Sequence, residues 1–260
     1  MADFELSCLY ITVDAPVARL TLNRPEKLNA LSRTTLAELA DAAHWLDGRR
    51  DVKTVVVHGA GRAFSAGFDL DDFTNVDPDE PNTEGAELGR RMADAVTNMR
   101  ALTVAAVNGW CVGGGLVLAA ACDLRLAADD ARFSIPEVDL GIPLAWGGIP
   151  RLVRELGPAI TKELVLTCRV FGAAEAHALR FLNRVVAPDQ LLAAAEDLAR
   201  SLATKSSLTL TQTKRHVNAV VEQMGSTAGS GTDALVLAAA LADPESRAAG
   251  RAYTAGRRTR

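Results

Sequence analysis

The sequence predicts an α/β fold built from repeated strand–strand–helix units, followed by a helical C-terminal region. Three observations carry this. Two short strands that read as buried, "KTVVVHG" and "LTVAAVNG", each run into a loop containing glycine. A helix and another strand follow the second of these in close succession, so the pattern strand, glycine loop, helix, strand recurs. From Trp146 onward, the chain reads as helix after helix, interrupted only by "NRVVA". That segment reads as a separate lobe whose apolar faces pack on another subunit or on the core.

Each element follows in order. "LYITVD" and "VARLTLN" alternate polar and apolar residues around Ala15-Pro16 and read as an antiparallel hairpin. "SRTTLAELADAAHWLDG" reads as a helix, with Ser32 as N-cap and Gly48 at its end. "KTVVVHG" is a buried strand. A loop from Gly59 to about Pro81 is expected next, and its acidic second half, "DDFTNVDPDEPNTE", is rich in turn formers. Residues 84–100 read as a helix and "LTVAAVNG" as the second buried strand. Helix 113–121 and strands "DLRLAA" and "ARFSIP" come next. The helices "GGIPRLVRELG", "AITKELVLTC", "AAEAHAL", "DQLLAAAEDLARSLAT", "LTLTQTKRHVNAVVEQM" and "TDALVLAAALAD" complete the chain. The division expected is a core over residues 1–200 and a helical region over 201–260.

Composition limits the function. Of 260 residues, 48% are hydrophobic, enough for a sizeable core, and the net charge of −4 argues against a nucleic-acid-binding domain. Cys8, Cys111, Cys122 and Cys168 form no C-x-x-C pair and read as reduced, buried thiols. His44, His58, His177 and His216 lack metal-ligand spacing, so no metal site is expected. "MADFELSCLY" has no secretory pattern and the apolar stretch 115–122 is too short to span a bilayer; a cytoplasmic protein with no membrane partner is expected. Arg251, Arg257, Arg258 and Arg260 make a basic tail, read either as a frayed terminus or as a phosphate contact.

The chemistry concentrates in the two glycine loops, "VVVHGAGRAFSAGFDL" and "VAAVNGWCVGGGLVLA". Glycine after a strand leaves backbone N–H groups uncovered. In the second loop the glycines also open a helix, whose first N–H groups have no partner and whose dipole favours negative charge. Two such loops on neighbouring strands can aim two N–H groups at one carbonyl oxygen. Each donor of such an oxyanion hole is worth roughly 3 kcal/mol in a transition state. "FSAG" only approaches the G-x-S-x-G elbow, because Ala63 stands where the first glycine belongs, so Ser65 reads as a loop hydroxyl. No phosphate-binding P-loop and no clean G-x-G-x-x-G occur.

"NRPEKLNALS", "GRAFSAGFDL", "AAVNGWCVGGGLVLAAACDLRLA" and "FSIPEVDLGI" resemble, in order and spacing, the enoyl-CoA hydratase/isomerase (crotonase) superfamily, over about residues 5–200. The resemblance implies a spiral of ββα turns, a helical trimerisation region giving homotrimers or hexamers, and an acyl-CoA thioester substrate. Coenzyme A is then part of the substrate and no separate cofactor is implied. It assigns the oxyanion-hole N–H groups to Ala66 and Gly114. It places Lys27, Leu28, Ala30, Asp69 and Leu70 along the CoA path, and Gly67, Trp110, Gly113, Val117, Pro136 and Leu140 around the substrate. Trp110, Phe68, Phe133 and Trp146 are candidates for an acyl pocket and for the core alike.

Hydratases of the family use two glutamates. The position of the first is Val117 here; the second is present as Glu137, in "IPEVDLGI". Hydration needs a water held and polarised while C2 gains a proton. Moving a double bond from C3–C4 to C2–C3 needs one carboxylate that takes a proton from C2 and returns it to C4. The pattern resembles single-glutamate Δ3,Δ2-enoyl-CoA isomerases of fatty acid metabolism. The dienoyl-CoA isomerase pattern adds an Asp where Ala145 stands. Two alternatives stay open: a hydratase with altered activity, and a non-catalytic acyl-CoA-binding protein.

Overall fold

The computed structural model describes residues 6–74 and 84–258. In chain order the core elements are β1 (Leu9–Asp14), β2 (Val17–Leu22), α1 (Arg33–Gly48), β3 (Thr54–Gly59), β4 (Ala63–Ser65), α2 (Leu70–Thr74), α3 (Glu84–Asn98), β5 (Leu102–Val107), β6 (Trp110–Val112), α4 (Gly114–Ala121), β7 (Leu124–Ala128) and β8 (Arg132–Ser134). There follow α5 (Gly148–Leu156), α6 (Pro158–Thr167), β9 (Phe171–Gly172), α7 (Ala173–Ala178), β10 (Arg184–Val186), α8 (Leu191–Ala203), α9 (Ser207–Met224), α10 (Asp233–Ala242) and α11 (Pro244–Arg258).

The ββα recurrence is the organising rule. β3, β5 and β7 lie side by side in a six-stranded sheet of order β1-β2-β3-β5-β7-β10. Their successors β4, β6 and β8 lie side by side in a four-stranded sheet closed by β9. Each turn of the spiral thus adds one strand to each sheet, and these additions are parallel. The hairpin β1–β2 is antiparallel, with Leu9 opposite Leu22.

The apolar runs of β3 and β5 are explained by two covered faces. Val55 and Val57 of β3, with Ala105 and Val107 of β5, point into the main core against α1, α3 and α4. The intervening Val56, Val104, Ala106, Leu126 and Ala128 meet Leu191, Ala195 and Ala199 of α8 on the other side. Polar residues on either parity would meet protein, so neither face alternates. Ser32 caps α1 by accepting from Thr35 N at 3.1 Å.

Several expectations are corrected. Residues 59–81 are not one loop: β4 and α2 lie within it, while 75–83 fall outside the described residues. The segment after Trp146 is not a separate lobe. Leu152, Leu164, Val165, Ala173 and Ala176 of α5–α7 belong to the main core, and Leu191, Ala195 and Ala199 of α8 cover the large sheet. The basic tail is helical: Arg251, Arg257 and Arg258 lie in α11, and Arg260 is outside the described residues.

α9 is tied to the core by a buried ion pair, Lys214 Nζ to Asp123 at 2.8 Å, with Lys214 also donating to Ala101 O. Its outer face leaves Val217, Val220 and Met224 exposed at helical spacing. The four cysteines are free thiols. Among the described residues no helix is long and apolar enough to cross a membrane, and no cluster of His, Cys, Asp and Glu could hold a metal.

Candidate active site

The β4–α2 loop is shaped by Ser65. Its hydroxyl donates to Asn29 O at 2.9 Å and accepts from Gly67 N at 3.2 Å, so it is a turn-forming group rather than a nucleophile. Gly67 has φ +86, and a Cβ there would sit 2.7 Å from Val112 O and 3.6 Å from Gly114 N. Only glycine lets the two loops approach this closely.

The assignment of Ala66 as an oxyanion donor is corrected: its N–H donates to Leu28 O at 2.9 Å. The next residues form a parallel bridge with Leu31. Leu31 N donates to Gly67 O at 2.8 Å, and Asp69 N donates to Leu31 O at 3.1 Å. In such a bridge the opposed residue, Phe68, turns its own N–H to the other side. Phe68 also lines the cavity beside Gly114. The signal for this was the positive-φ Gly67, which reverses the chain and carries the free donor to the residue after it.

The β6–α4 loop supplies the second donor. Gly113 (φ 49, ψ −114) is the N-cap of α4, and Gly114 is its first residue, with an N–H that has no intrahelical partner. Each glycine of "GGG" is required by a different neighbour. A Cβ would overlap the Glu137 carboxyl at Gly113, the Trp146 indole at Gly114, and Ser65 at Gly115.

Glu137 follows β8 in a tight turn closed by Leu140 N to Pro136 O (3.0 Å) and Ile142 N to Glu137 O (2.9 Å). The turn directs the carboxyl inward against Gly113, where Oε2 is buried with no hydrogen-bond partner. Burial disfavours the charge and pushes its pKa up to about 7, opposed weakly by its own backbone. A carboxyl poised near neutrality both takes and gives a proton readily.

The cavity at this point measures about 50 Å³. Its wall is Phe68, Gly114, Glu137, the stretch Ile142–Trp146, Gly85 and Ala86 of α3, and Leu237 and Leu241 of α10. Glu137 is the only ionisable group lining it among the described residues. The α10 leucines were not foreseen; their helix reads as apolar all round, which points equally to a subunit contact.

The remaining candidates divide. Val117 is fully buried and lies against Gly148 instead of lining the cavity, because the first turn of α4 rotates that position into the core. Trp110 is 41% exposed on β6, away from the cavity, and Phe133 packs in the core against Phe171 and Phe181. Leu140 is likewise off the cavity wall; α11 packs on it, its carbonyl lying 2.8 Å from where a Gly250 Cβ would be. Off the cavity wall, Lys27 pairs with Asp71 at 2.5 Å and buried Asp69 pairs with Arg24 at 2.9 Å. Arg24 also donates to Ala30 O, and Leu70 opens α2.

The profile described as enoyl-CoA hydratase/isomerase matches residues 12–258. The chain is 37% identical over 203 residues to a crotonyl-CoA hydratase of Syntrophomonas wolfei, covering 78% of each. It is 33% identical over 215 residues to a short-chain-enoyl-CoA hydratase of Clostridium acetobutylicum, covering 82% of each. A crystal structure of an enoyl-CoA hydratase from Mycobacterium avium subsp. paratuberculosis superposes with TM-score 0.87 at 25% identity, covering 95% of this chain and 99% of that one. One of an enoyl-CoA hydratase/isomerase from Xanthobacter autotrophicus gives 0.84 at 32% identity, covering 94% and 91%. With its spiral of paired strands, its two glycine loops meeting at one cavity, and these matches over most of its length, the chain belongs to the enoyl-CoA hydratase/isomerase family.

Proposed function

We propose that the protein is an enoyl-CoA isomerase of fatty acid metabolism, moving a C3–C4 double bond into conjugation at C2–C3. The observation that carries this reading is the solitary carboxyl: Glu137 is the one ionisable group on the cavity wall among the described residues. The thioester oxygen would accept from the N–H groups of Gly114 and Phe68, at the positive end of α4. Ionised Glu137 takes a proton from C2, the electrons move onto the thioester as an enolate, and the protonated Glu137 then delivers that proton to C4. The base is restored and no atom is gained or lost. Coenzyme A enters as part of the substrate, and the cycle requires no cofactor.

Hydration is the second reading, favoured by the hydratases among the relatives. It would need a second group to hold the attacking water, and the family's position for it is Val117, buried and apolar. One assay separates the two. With a 3-enoyl-CoA, isomerisation gains conjugated-thioester absorbance; with a 2-enoyl-CoA, hydration loses it. Gain with the first and no loss with the second supports isomerisation; efficient loss with the second overturns it. Binding of CoA thioesters with neither change supports an acyl-CoA-binding protein instead. The exposed row on α9 fits a homotrimer or hexamer, and a monomer in analytical ultracentrifugation would overturn that.

A further inference from the structure

The cavity beside Glu137 ends on one side chain. The Trp146 indole spans the gap between α3 and α4: a Cβ on Gly89 would overlap the pyrrole half and one on Gly114 the benzo half. Phe68 meets it edge-on at 5.8 Å and 89°. Beyond the carbon held at Gly114, the space between these helices is therefore filled by the ring. Leu237 and Leu241 of α10 contribute to the same wall. The 50 Å³ left open compares with roughly 10–15 Å³ needed for one water.

The ring is also held. Trp146 has φ 62, a left-handed conformation unusual for so large a residue. Arg151 Nη1 donates to the Trp146 and Gly147 carbonyls at 3.1 Å each, and Arg151 Nη2 pairs with Asp94 of α3 at 2.8 Å. Gly147 N donates to Asp233, the first residue of α10, at 2.8 Å. Three helices thus fix the backbone that carries the indole.

We propose that this site takes short acyl chains and that Trp146 sets the limit, with Leu237 contributing from the opposite helix. The inference rests on the acyl-CoA reading above and deepens it. A methylene that finds apolar space strengthens binding roughly fourfold, equivalent to ~0.8 kcal/mol. One that meets a clamped ring gains nothing or weakens binding.

The test is calorimetric binding of saturated butyryl-, hexanoyl-, octanoyl- and decanoyl-CoA to the full-length protein, which requires no turnover. In the wild type, affinity should stop rising at butyryl or hexanoyl and fall by about tenfold or more by decanoyl. Trp146→Ala should make affinity climb with chain length through octanoyl. Leu237→Ala, which leaves the clamped turn intact, should move the break to a longer chain by itself, and it decides the matter if the tryptophan variant does not fold. A wild-type affinity that climbs steadily through decanoyl, or a break that neither variant moves, would overturn the inference while leaving the acyl-CoA reading in place. Absence of binding to every thioester would overturn the acyl-CoA reading itself.

Discussion

At Phe68 and Gly114, whose approach Gly67 permits, the cavity wall presents backbone N–H groups, whereas elsewhere it is made of side chains, Glu137, Trp146, Leu237 and Leu241 among them. The backbone wall presents N–H groups that any substitution short of proline can displace but not delete. Its requirement is negative: no Cβ may stand where the loops meet. The side-chain wall presents one titratable group and an apolar surface, each assembled from residues far apart in sequence. The first wall can stabilise charge on any thioester. The second decides which proton moves and which acyl chain fits.

The largest effect should come from the side-chain wall. Glu137→Gln keeps the shape and removes the base, so turnover of a 3-enoyl-CoA should fall by ~10²–10⁴-fold, with thioester binding nearly unchanged. Unchanged kcat would show that the proton travels by another group. The backbone wall should give way more gradually. Gly67→Ala forces a Cβ to within 2.7 Å of Val112 O at φ +86. It should displace the Phe68 donor and lower kcat by ~10²–10³-fold, the usual loss for one oxyanion donor. If kcat holds while stability drops, Gly67 serves packing alone.

Val117→Glu tests whether a glutamate restored at the family's first position can still reach the cavity and pair with Glu137. The new carboxyl would start in a fully buried, apolar site against Gly148. It should destabilise the fold by roughly 1–3 kcal/mol in denaturant titration, with the repulsion raising a pKa in the pair. Hydration of 2-enoyl-CoA should stay absent or weak in the wild type. Efficient hydration by the unmodified chain would remove the distinction drawn from Val117.

The smallest effects come from titration. Glu137 must be ionised to take a proton, so kcat/KM should rise with pH through about 7 and then level. The linkage to stability has the opposite sense. Between the ordinary carboxylate value of 4.5 and about 7, the folded chain holds a proton that the unfolded chain has lost. Stability should therefore fall as pH rises through that window and level above it. Glu137→Gln lacks this penalty and should be more stable than wild type at pH 8 by ~1–3 kcal/mol, with the gap closing near pH 4. A gap that does not change with pH would show that the carboxyl is not shielded from water.

The sequence by itself determined the parts that depend on short-range rules. Alternation set the β1–β2 hairpin, continuous apolar runs set β3 and β5 as strands covered on both faces, Ser32 set the start of α1, and the glycine blocks located the two loops. The position of Glu137, three residues after β8, was legible for the same reason, since local spacing fixes where a turn begins. Tertiary structure decided what local spacing does not encode. It chose which N–H is left over at the first loop, because that depends on Ala66 pairing with Leu28 and Gly67 with Leu31 across 36 residues or more. It turned Val117 into the core, because the α4 rotation follows from packing at Gly113, Gly114 and Gly115. It placed α10 over the cavity and the Trp146 indole between Gly89 and Gly114. An apolar helix and a tryptophan can be buried in many places at similar free energy, and only the shape left by the rest of the chain selects one.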